Sequence, residues 1–185
     1  MPFDEVTSEM RSAAKAVNFG IVYGISDFGL ARQLGISRKE AARYIELYFM
    51  RYPGVHTYLK GCVERAKQQG AATTLFGRRR EMPELKSSNY NTRSFGERVA
   101  MNMPIQGTAA DIIKLAMVRV HNELKARGMK SELILQIHDE LIIDAMQEEA
   151  DAAAEILKSC MENVVNLKVP LLAEVHTGHS WFDTK

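Results

Sequence analysis

The sequence of 185 residues lacks the features that mark membrane-spanning, secreted and zinc-ribbon proteins. It contains two cysteines, Cys62 and Cys160, which lie far apart and form no CxxC pair, so a disulfide framework is excluded. No apolar run approaches the roughly 20 residues of a membrane span. The N-terminus also lacks the basic and apolar pattern of a secretory signal. The sequence therefore predicts a globular protein of the cytoplasm with no membrane partner.

Several common catalytic motifs are also missing. No GxSxG, HExxH, P-loop or GxGxxG occurs, so serine hydrolases, zinc proteases and nucleotide switches have no support. His176 and His179 have a spacing seen among metal ligands, but no cysteine or carboxylate set completes them. Any chemistry must therefore come from other patterns in the chain.

Charge is unevenly distributed, although the formal net charge is only +1. Residues 1–131 carry 21 Lys and Arg against 12 Asp and Glu, whereas residues 132–185 carry 3 against 11. A basic lobe joined to an acidic one suggests a polyanionic partner on one side and cations held by carboxylates on the other. An ordinary distribution of charged side chains over a protein surface, with no such partner, explains the same residue counts equally well.

Helix and turn patterns predict an α+β fold, in which a mostly helical lobe precedes a small mixed lobe. A capping box at residues 37–40 starts one helix, and Pro53 ends it. A polar turn between two β-prone runs predicts a hairpin at residues 133–145. The first predicted helix begins at residue 8 or 9 and ends between residues 23 and 29. The other predicted helices span residues 37–51, 54–70, 90–104, 106–127 and 148–166, and the predicted strands span residues 73–76, 133–137, 141–145 and 171–176.

The first predicted helix carries two cations and two aromatic rings on one face. Arg11, Lys15, Phe19 and Tyr23 recur every four residues, so they lie within a stripe of about 120°. Such a stripe suits a phosphate chain at one end and a stacked base at the other. Alternatively, the rings belong to a core and the cations are solvated.

A second candidate site is the polar turn between the two β-prone runs. His138, Asp139 and Glu140 follow one another there, and adjacent carboxylates are costly to hold together unless a cation screens them. Magnesium prefers such hard oxygen ligands. A simple solvent-exposed turn accounts for the tripeptide as well.

A third candidate is a basic segment in which aromatic side chains are interleaved, as in nucleic-acid-binding surfaces. It is followed by two amides, Asn102 and Gln106, which flank Pro104 at a predicted helix break and can donate to base edges in a minor groove. Amides of this kind are more commonly helix caps or turn residues. The basic side chains are Arg78, Arg79, Arg80, Lys86, Arg93 and Arg98.

Together these patterns resemble the family A DNA polymerases, the bacterial DNA polymerase I type. The segment from Arg11 to Gly24 resembles motif B of that family, RxxxKxxxFGxxYG, and the segment from Gln136 to Glu140 resembles motif C. The Gly77–Arg80 stretch and the spacing of Arg98, Asn102 and Gln106 fit in the same order. The resemblance covers nearly the whole chain.

The resemblance implies roles for individual residues. Arg11 and Lys15 would grip the triphosphate of an incoming deoxynucleoside triphosphate, and Lys15 would protonate the leaving pyrophosphate. Phe19 would pack against its sugar and base, and Tyr23 would lie near the templating base. Primer–template DNA would contact Arg98, Asn102 and Gln106 in its minor groove and His138 near the primer end. The basic segment itself, apart from the resemblance, predicts that Arg78, Arg79 and Arg93 contact a nucleic-acid backbone.

The resemblance further implies that Asp139 binds Mg²⁺ and that Glu140 is an auxiliary carboxylate. Family members carry a motif A upstream, whose aspartate supplies the other shared ligand of a two-metal site, and residues 1–9 contain no such strand. We therefore expect a fingers-like part at residues 1–90 and a palm-like part at residues 91–185. The chain would be inactive without the remaining polymerase portion, and the alternative is a non-catalytic DNA- or nucleotide-binding remnant.

Overall fold

The computed structural model describes residues 2–184 of the chain. Within this range the chain forms six α-helices and two antiparallel β-hairpins, joined by loops and short 3-10 turns, which confirms the α+β class. The helices are α1 (Ser8–Val22), α2 (Asp27–Leu34), α3 (Arg38–Arg51), α4 (Pro53–Gln69), α5 (Tyr90–Ala126) and α6 (Ala150–Glu162). The strands are β1 (Ala71–Thr73), β2 (Arg79–Glu81), β3 (Glu132–Ile137) and β4 (Glu140–Asp144).

The chain divides into two compact units, residues 1–107 and residues 108–185. Each unit contains its own hydrophobic core among the described residues. The predicted division into fingers-like and palm-like parts near residue 90 is a functional one, and it stays a prediction. Within residues 2–184, no helix combines the length and the apolar composition that crossing a membrane requires.

Side-chain caps start the first three helices. The Thr7 hydroxyl accepts from the backbone N–H of Met10 at 3.2 Å. Ser37 and Glu40 form the predicted capping box, because Ser37 Oγ accepts from the N–H of Glu40 at 3.2 Å and Glu40 Oε2 accepts from the N–H of Ser37 at 3.0 Å. The Ser26 hydroxyl caps α2, a helix that the sequence patterns did not predict.

Two small cores hold the first unit together. Leu30, Ala31 and Ala41 pack α2 against α3. The second core contains Ala66 of α4, Ala100 of α5 and the buried side chain of Met82. Small side chains at these helix crossings allow the helices to approach closely.

A short hairpin interrupts the helices of the first unit. β1 pairs with β2 in the register Ala71 with Glu81 and Thr73 with Arg79. The predicted strand at residues 73–76 is therefore misplaced, since the chain turns after Thr73. Gly77 has a φ of +83° in this turn, a conformation that favours glycine.

The predicted helix break at Pro104 is wrong, because α5 runs through it from Tyr90 to Ala126. Proline inside a helix removes one hydrogen bond and costs roughly 3 kcal/mol. The same helix buries Ala100 in the first unit and Ala116, Val120 and Leu124 in the second. Burying one large aliphatic side chain contributes about 1.5–3 kcal/mol, so burial along both halves outweighs the cost of the proline.

The core of the second unit lies between the second half of α5, the β3–β4 hairpin and α6. Val120, Leu124, Leu141 and Ile156 meet there. The hairpin confirms the strands predicted at residues 133–145. The strand predicted at residues 171–176 is wrong: the structure shows no strand in this segment, where the Leu172 side chain is 83% exposed.

The start of β3 is fixed by a carboxylate. Glu149 Oε2 accepts from the Ser131 hydroxyl at 2.6 Å and from the Ser131 N–H at 2.9 Å, while Lys130 N–H lies 3.1 Å away. These hydrogen bonds, chiefly the one from the Ser131 side chain, lower the pKa of Glu149. The carboxylate thereby ties the hairpin to the segment that begins α6.

Candidate nucleic-acid interface

The stripe of α1 faces solvent. Phe19 is 53% exposed and Tyr23 38% exposed, and their ring centroids lie 6.2 Å apart with an interplanar angle of 27°. Arg11 and Lys15 are exposed on the same face, and neither forms an ion pair with another described residue. The alternative in which the two rings belong to a core is therefore wrong. Two aromatic rings that remain in water next to two cations form a surface suited to a phosphorylated aromatic ligand.

Residues of α1 outside the stripe anchor the helix. Ile21 is 3% exposed. The Tyr48 hydroxyl of α3 donates to Asn18 Oδ1 at 2.8 Å, so a side-chain bond links α1 to α3 immediately before Phe19. Sequence reasoning missed this pair, because no local pattern connects two polar residues thirty positions apart.

Gly24 brings the end of α1 close to α5. Its φ is +70°, and a Cβ placed there would overlap with Met101 Cε and lie 3.0 Å from Arg98 Cγ. At Gly20 a Cβ would lie 3.0 Å from Ile25 Cγ2. Both glycines therefore lie close to side chains of the described structure.

The arginines of the β1–β2 hairpin are exposed but partly neutralised. Arg79 Nε donates to Glu81 Oε1 at 2.8 Å, and its Nη2 donates to the Gln69 carbonyl at 3.3 Å. The Arg79 guanidinium lowers the pKa of Glu81. Arg80 lies 3.8 Å from Glu84, and Arg78 is exposed beside them. The predicted DNA contacts of Arg78 and Arg79 stay predictions.

Arg93 is engaged within the chain. Its Nη1 donates to the carbonyl of Ser87 at 2.9 Å, and its guanidinium carbon lies 5.9 Å from the centre of the Tyr90 ring. This arginine therefore closes the loop that leads into α5. Its predicted contact with DNA stays a prediction and would compete with these interactions.

Arg98, Asn102 and Gln106 share one stripe of α5 within the first unit. Because the helix is continuous, the two amides lie on a helix face and not at a break, which corrects the sequence interpretation. Arg98 Nη1 donates to Ser94 Oγ at 3.1 Å, and Gln106 is exposed. Asn102 Oδ1 is buried and has no hydrogen-bond partner among the described residues. A buried acceptor left unpaired is costly, so it marks a place where a donor is expected.

The second unit presents the polar turn of its hairpin. His138 and Asp139 form a two-residue turn, and Glu140 is the first residue of β4, paired with Ile137. His138 has a φ of +52°, and Gln136 Nε2 donates to its carbonyl at 3.0 Å, which stabilises the turn. All three side chains of the predicted tripeptide are exposed.

The described residues do not fit a complete metal centre. No group of three or more His, Cys, Asp or Glu side chains in residues 2–184 is arranged to hold a metal ion. Asp139 and Glu140 are two carboxylates at one turn, whereas a pair of divalent ions needs ligands from more than one strand. Residues outside this set would have to complete any Mg²⁺ site to which Asp139 contributes.

Comparison with known proteins places these features in a family. The model of DNA polymerase family A matches residues 1–183. The DNA polymerase I of Caldicellulosiruptor bescii is 58% identical over 181 residues, and that of Bacillus subtilis is 53% identical over 182 residues. Each alignment covers 98% of this chain and 21% of the relative, so the chain spans about a fifth of the length of these proteins.

A solved structure shares the fold over the full length of the chain. The polymerase domain of Pol1 from M. smegmatis, in complex with DNA primer–template and dNTP, superimposes with a TM-score of 0.95 at 44% sequence identity. The match covers 100% of this chain and 32% of that one. The family model, the relatives and this structure agree with the two motifs: the chain belongs to the family A DNA polymerases.

Proposed function

We propose that this chain is part of the catalytic region of a DNA-directed DNA polymerase. In the reaction, the 3′ oxygen of a primer attacks the α-phosphorus of a deoxynucleoside triphosphate, and the bond to the pyrophosphate leaving group breaks. The observation that carries the proposal is the exposed stripe of α1, on which two cations precede two stacked rings. Family membership and the neighbour solved with primer–template and dNTP support it.

The residues of α1 would hold the incoming nucleotide. The guanidinium of Arg11 suits the oxygens of a triphosphate, and the ammonium of Lys15 carries a proton that it would give to the leaving pyrophosphate. Phe19 would pack against the sugar and base, and Tyr23 would lie near the templating base. Catalysis of this kind rests on positioning and on electrostatic stabilisation of the transferred phosphoryl group.

The face of α5 and the hairpin turn would meet DNA. Arg98, Asn102 and Gln106 would contact the minor groove of the primer–template, and His138 would lie near the primer end. Asp139 would supply one ligand to Mg²⁺, which family A polymerases use, and Glu140 would be an auxiliary carboxylate. When bound, the metal supplies electrostatic stabilisation of the transferred phosphate.

The described residues supply too few carboxylates for a two-metal site. This favours a chain that supplies part of an active site over a chain that contains a whole one. We therefore propose that the chain binds nucleotide and DNA in the cytoplasm but transfers nucleotides only when the rest of a polymerase completes the metal site. A non-catalytic nucleotide- or DNA-binding protein is the second candidate, favoured by the same carboxylate count. Supplying the other polymerase portion separately distinguishes them: primer extension would be restored in the first case and stay absent in the second.

Nucleotide binding by the 185-residue chain tests the central claim. Arg11→Ala and Lys15→Ala should each weaken the affinity for dATP with Mg²⁺ by roughly 10-fold or more, since a hydrogen bond to a charged group contributes about 1.5–3 kcal/mol. Arg32→Ala removes an exposed cation from α2 and serves as the matched control, with a change below about twofold. Equal losses in all three variants would mean that binding is only nonspecific charge attraction.

A further inference from the structure

The end of the proposed nucleotide helix lies directly against the helix that carries Arg98. A Cβ at Gly24 would lie 3.0 Å from Arg98 Cγ and 3.7 Å from Arg98 Cα, and it would overlap with Met101 Cε. At these distances a side chain at this position would force Met101 and the stem of Arg98 to shift, and the φ of +70° strains any residue other than glycine. The absence of a side chain at Gly24 therefore allows α1 to pack on the backbone and the aliphatic stem of an α5 residue.

The contact is built on an ordered helix end. The N–H of Tyr23 donates to the Phe19 carbonyl at 2.9 Å, the N–H of Gly24 to the Ile21 carbonyl at 3.0 Å, and the N–H of Ile25 to the Gly20 carbonyl at 2.8 Å. These bonds connect the turn at Gly24 to the residues that bear the two stacked rings. A displacement of this turn would therefore move the rings as well.

On the α5 side, the contact with Gly24 is made by the stem of Arg98, whose guanidinium group is held by a hydrogen bond. The guanidinium of Arg98 bonds to Ser94 one turn earlier, while its stem stays next to Gly24. Arg98 is exposed and shares its stripe with Asn102, whose buried acceptor lacks a partner. A ligand that repositions Arg98 would therefore move the stem of Arg98 toward Gly24 or away from it.

We infer that Gly24 is a positioning residue that couples the nucleotide-binding face of α1 to the DNA-binding face of α5. The inference rests on the proposed function, since it takes Arg11 to Tyr23 as the nucleotide face and Arg98 as a DNA contact. Binding of a primer–template on α5 then changes the nucleotide affinity of α1, and nucleotide changes the affinity for DNA by the same factor. The contact at Gly24 is the element through which the two faces interact.

The chain offers a matched control for this inference. Gly35, at the end of α2, has a φ of +67°, close to the +70° of Gly24, but nothing lies within 4 Å of a Cβ placed there. Gly24→Ala and Gly35→Ala therefore introduce the same kind of backbone strain, and only the first also disturbs the contact with α5. Met101→Ala keeps Gly24 and its backbone but removes one contacting side chain from α5.

The experiment measures dATP affinity of the 185-residue chain by isothermal titration, with and without a saturating primer–template duplex that has a matched primer end. We expect the duplex to raise the dATP affinity at least fivefold in the unchanged chain and in Gly35→Ala, and less than twofold in Gly24→Ala. Met101→Ala should give an increase in dATP affinity between these two values. This variant tests the inference if Gly24→Ala does not fold. Affinity for dATP alone should change less than twofold in Gly35→Ala and Met101→Ala, which leave Gly24 and its turn in place, and the coupling factor of Gly24→Ala is taken relative to that variant's own affinity for dATP alone.

The outcomes separate the inference from the proposed function. Equal coupling factors in Gly24→Ala and Gly35→Ala, or unchanged coupling in Met101→Ala where Gly24→Ala does not fold, would overturn the inference. Binding of both ligands without coupling in the unchanged chain would also overturn it and leave the proposed function in place. Failure of the unchanged chain to bind either ligand would refute the proposed function, and the inference with it.

Discussion

The hydroxyl of Tyr48 donates to Asn18 Oδ1 at 2.8 Å and thereby links α3 to the helix that carries the nucleotide stripe. Burial, with a smaller effect of Tyr52, raises the pKa of the Tyr48 hydroxyl, so the group remains a donor at neutral pH. The side chain also lies against Tyr52, with ring centroids 5.0 Å apart. Tyr48 thus links α3 to the residue of α1 that directly precedes Phe19.

Removing this hydrogen bond should destabilise the first unit modestly. Tyr48→Phe keeps the ring and leaves Asn18 without its donor, so we expect a loss of about 1 kcal/mol in the free energy of unfolding. Urea denaturation followed by circular dichroism measures the loss. Tyr44→Phe, on the same helix and 49% exposed, is the control and should change stability by less than about 0.5 kcal/mol. Equal effects of the two substitutions would show that the bond contributes nothing.

The core between α2 and α3 depends on one fully buried leucine. Leu30 has 0% of its surface exposed, so Leu30→Ala should cost about 2–5 kcal/mol through lost burial and a cavity. Leu47→Ala removes the same atoms from a side chain that is 48% exposed and should cost much less. Chemical denaturation gives the free energy of unfolding of both variants. Similar losses in the two would contradict the burial of Leu30 between α2 and α3.

The hydrogen bonds of Glu149 predict a pH-dependent contribution to stability. Its pKa is lower in the folded chain than in the unfolded chain, so its stabilisation is fully present above the ordinary glutamate pKa of about 4.3 and is lost as pH falls through the folded value. Glu149→Gln should therefore reduce the urea midpoint at neutral pH, and the difference from the unchanged chain should narrow below about pH 4.

Glu148→Gln provides the comparison, since Glu148 is an exposed neighbour on the same 3-10 turn. Its urea midpoint should follow that of the unchanged chain across the pH range. A difference for Glu149→Gln that stays constant from neutral to acid pH would show that the Ser131 contact does not depend on the charge of the carboxylate.

The unpaired acceptor of Asn102 predicts opposite effects on stability and on DNA binding. Asn102→Ala removes a buried oxygen that has no partner among the described residues, so stability should stay within about 0.5 kcal/mol or rise. Affinity for a primer–template duplex should fall roughly fivefold, which corresponds to one hydrogen bond of about 1 kcal/mol. Fluorescence anisotropy at fixed salt measures the affinity, and Asn122→Ala, exposed on the same helix, is the control.

Local patterns were sufficient to predict most helix ends. The capping box at Ser37 and Glu40, the proline that ends α3 and the glycine that ends α4 act within a few residues, and all three appear as predicted. The β3–β4 hairpin was also predictable, because two β-prone runs flank a short polar turn. The candidate site residues were predicted from their spacing and from the resemblance to motifs B and C, and their roles stay predictions.

Errors arose where distant contacts outweigh local preference. Pro104 stays inside α5 because burial on both sides of it outweighs its cost. Residues 171–176 have strand-like composition but no neighbouring strand in the described structure, and a strand without a partner leaves its backbone groups unpaired. The exposure of Phe19 and Tyr23 could not be read from their spacing, since the same spacing suits a buried face.

The amino-acid sequence by itself determined the family of this protein, the α+β class and the identity of the candidate side chains, because these depend on residue types at short, fixed spacings. Tertiary structure decided that the two rings face solvent, that Gly24 packs against Arg98 and that Asn102 lacks a donor. Each of these facts depends on which distant segments pack together, and packing is decided by burial and close contact summed over many residues.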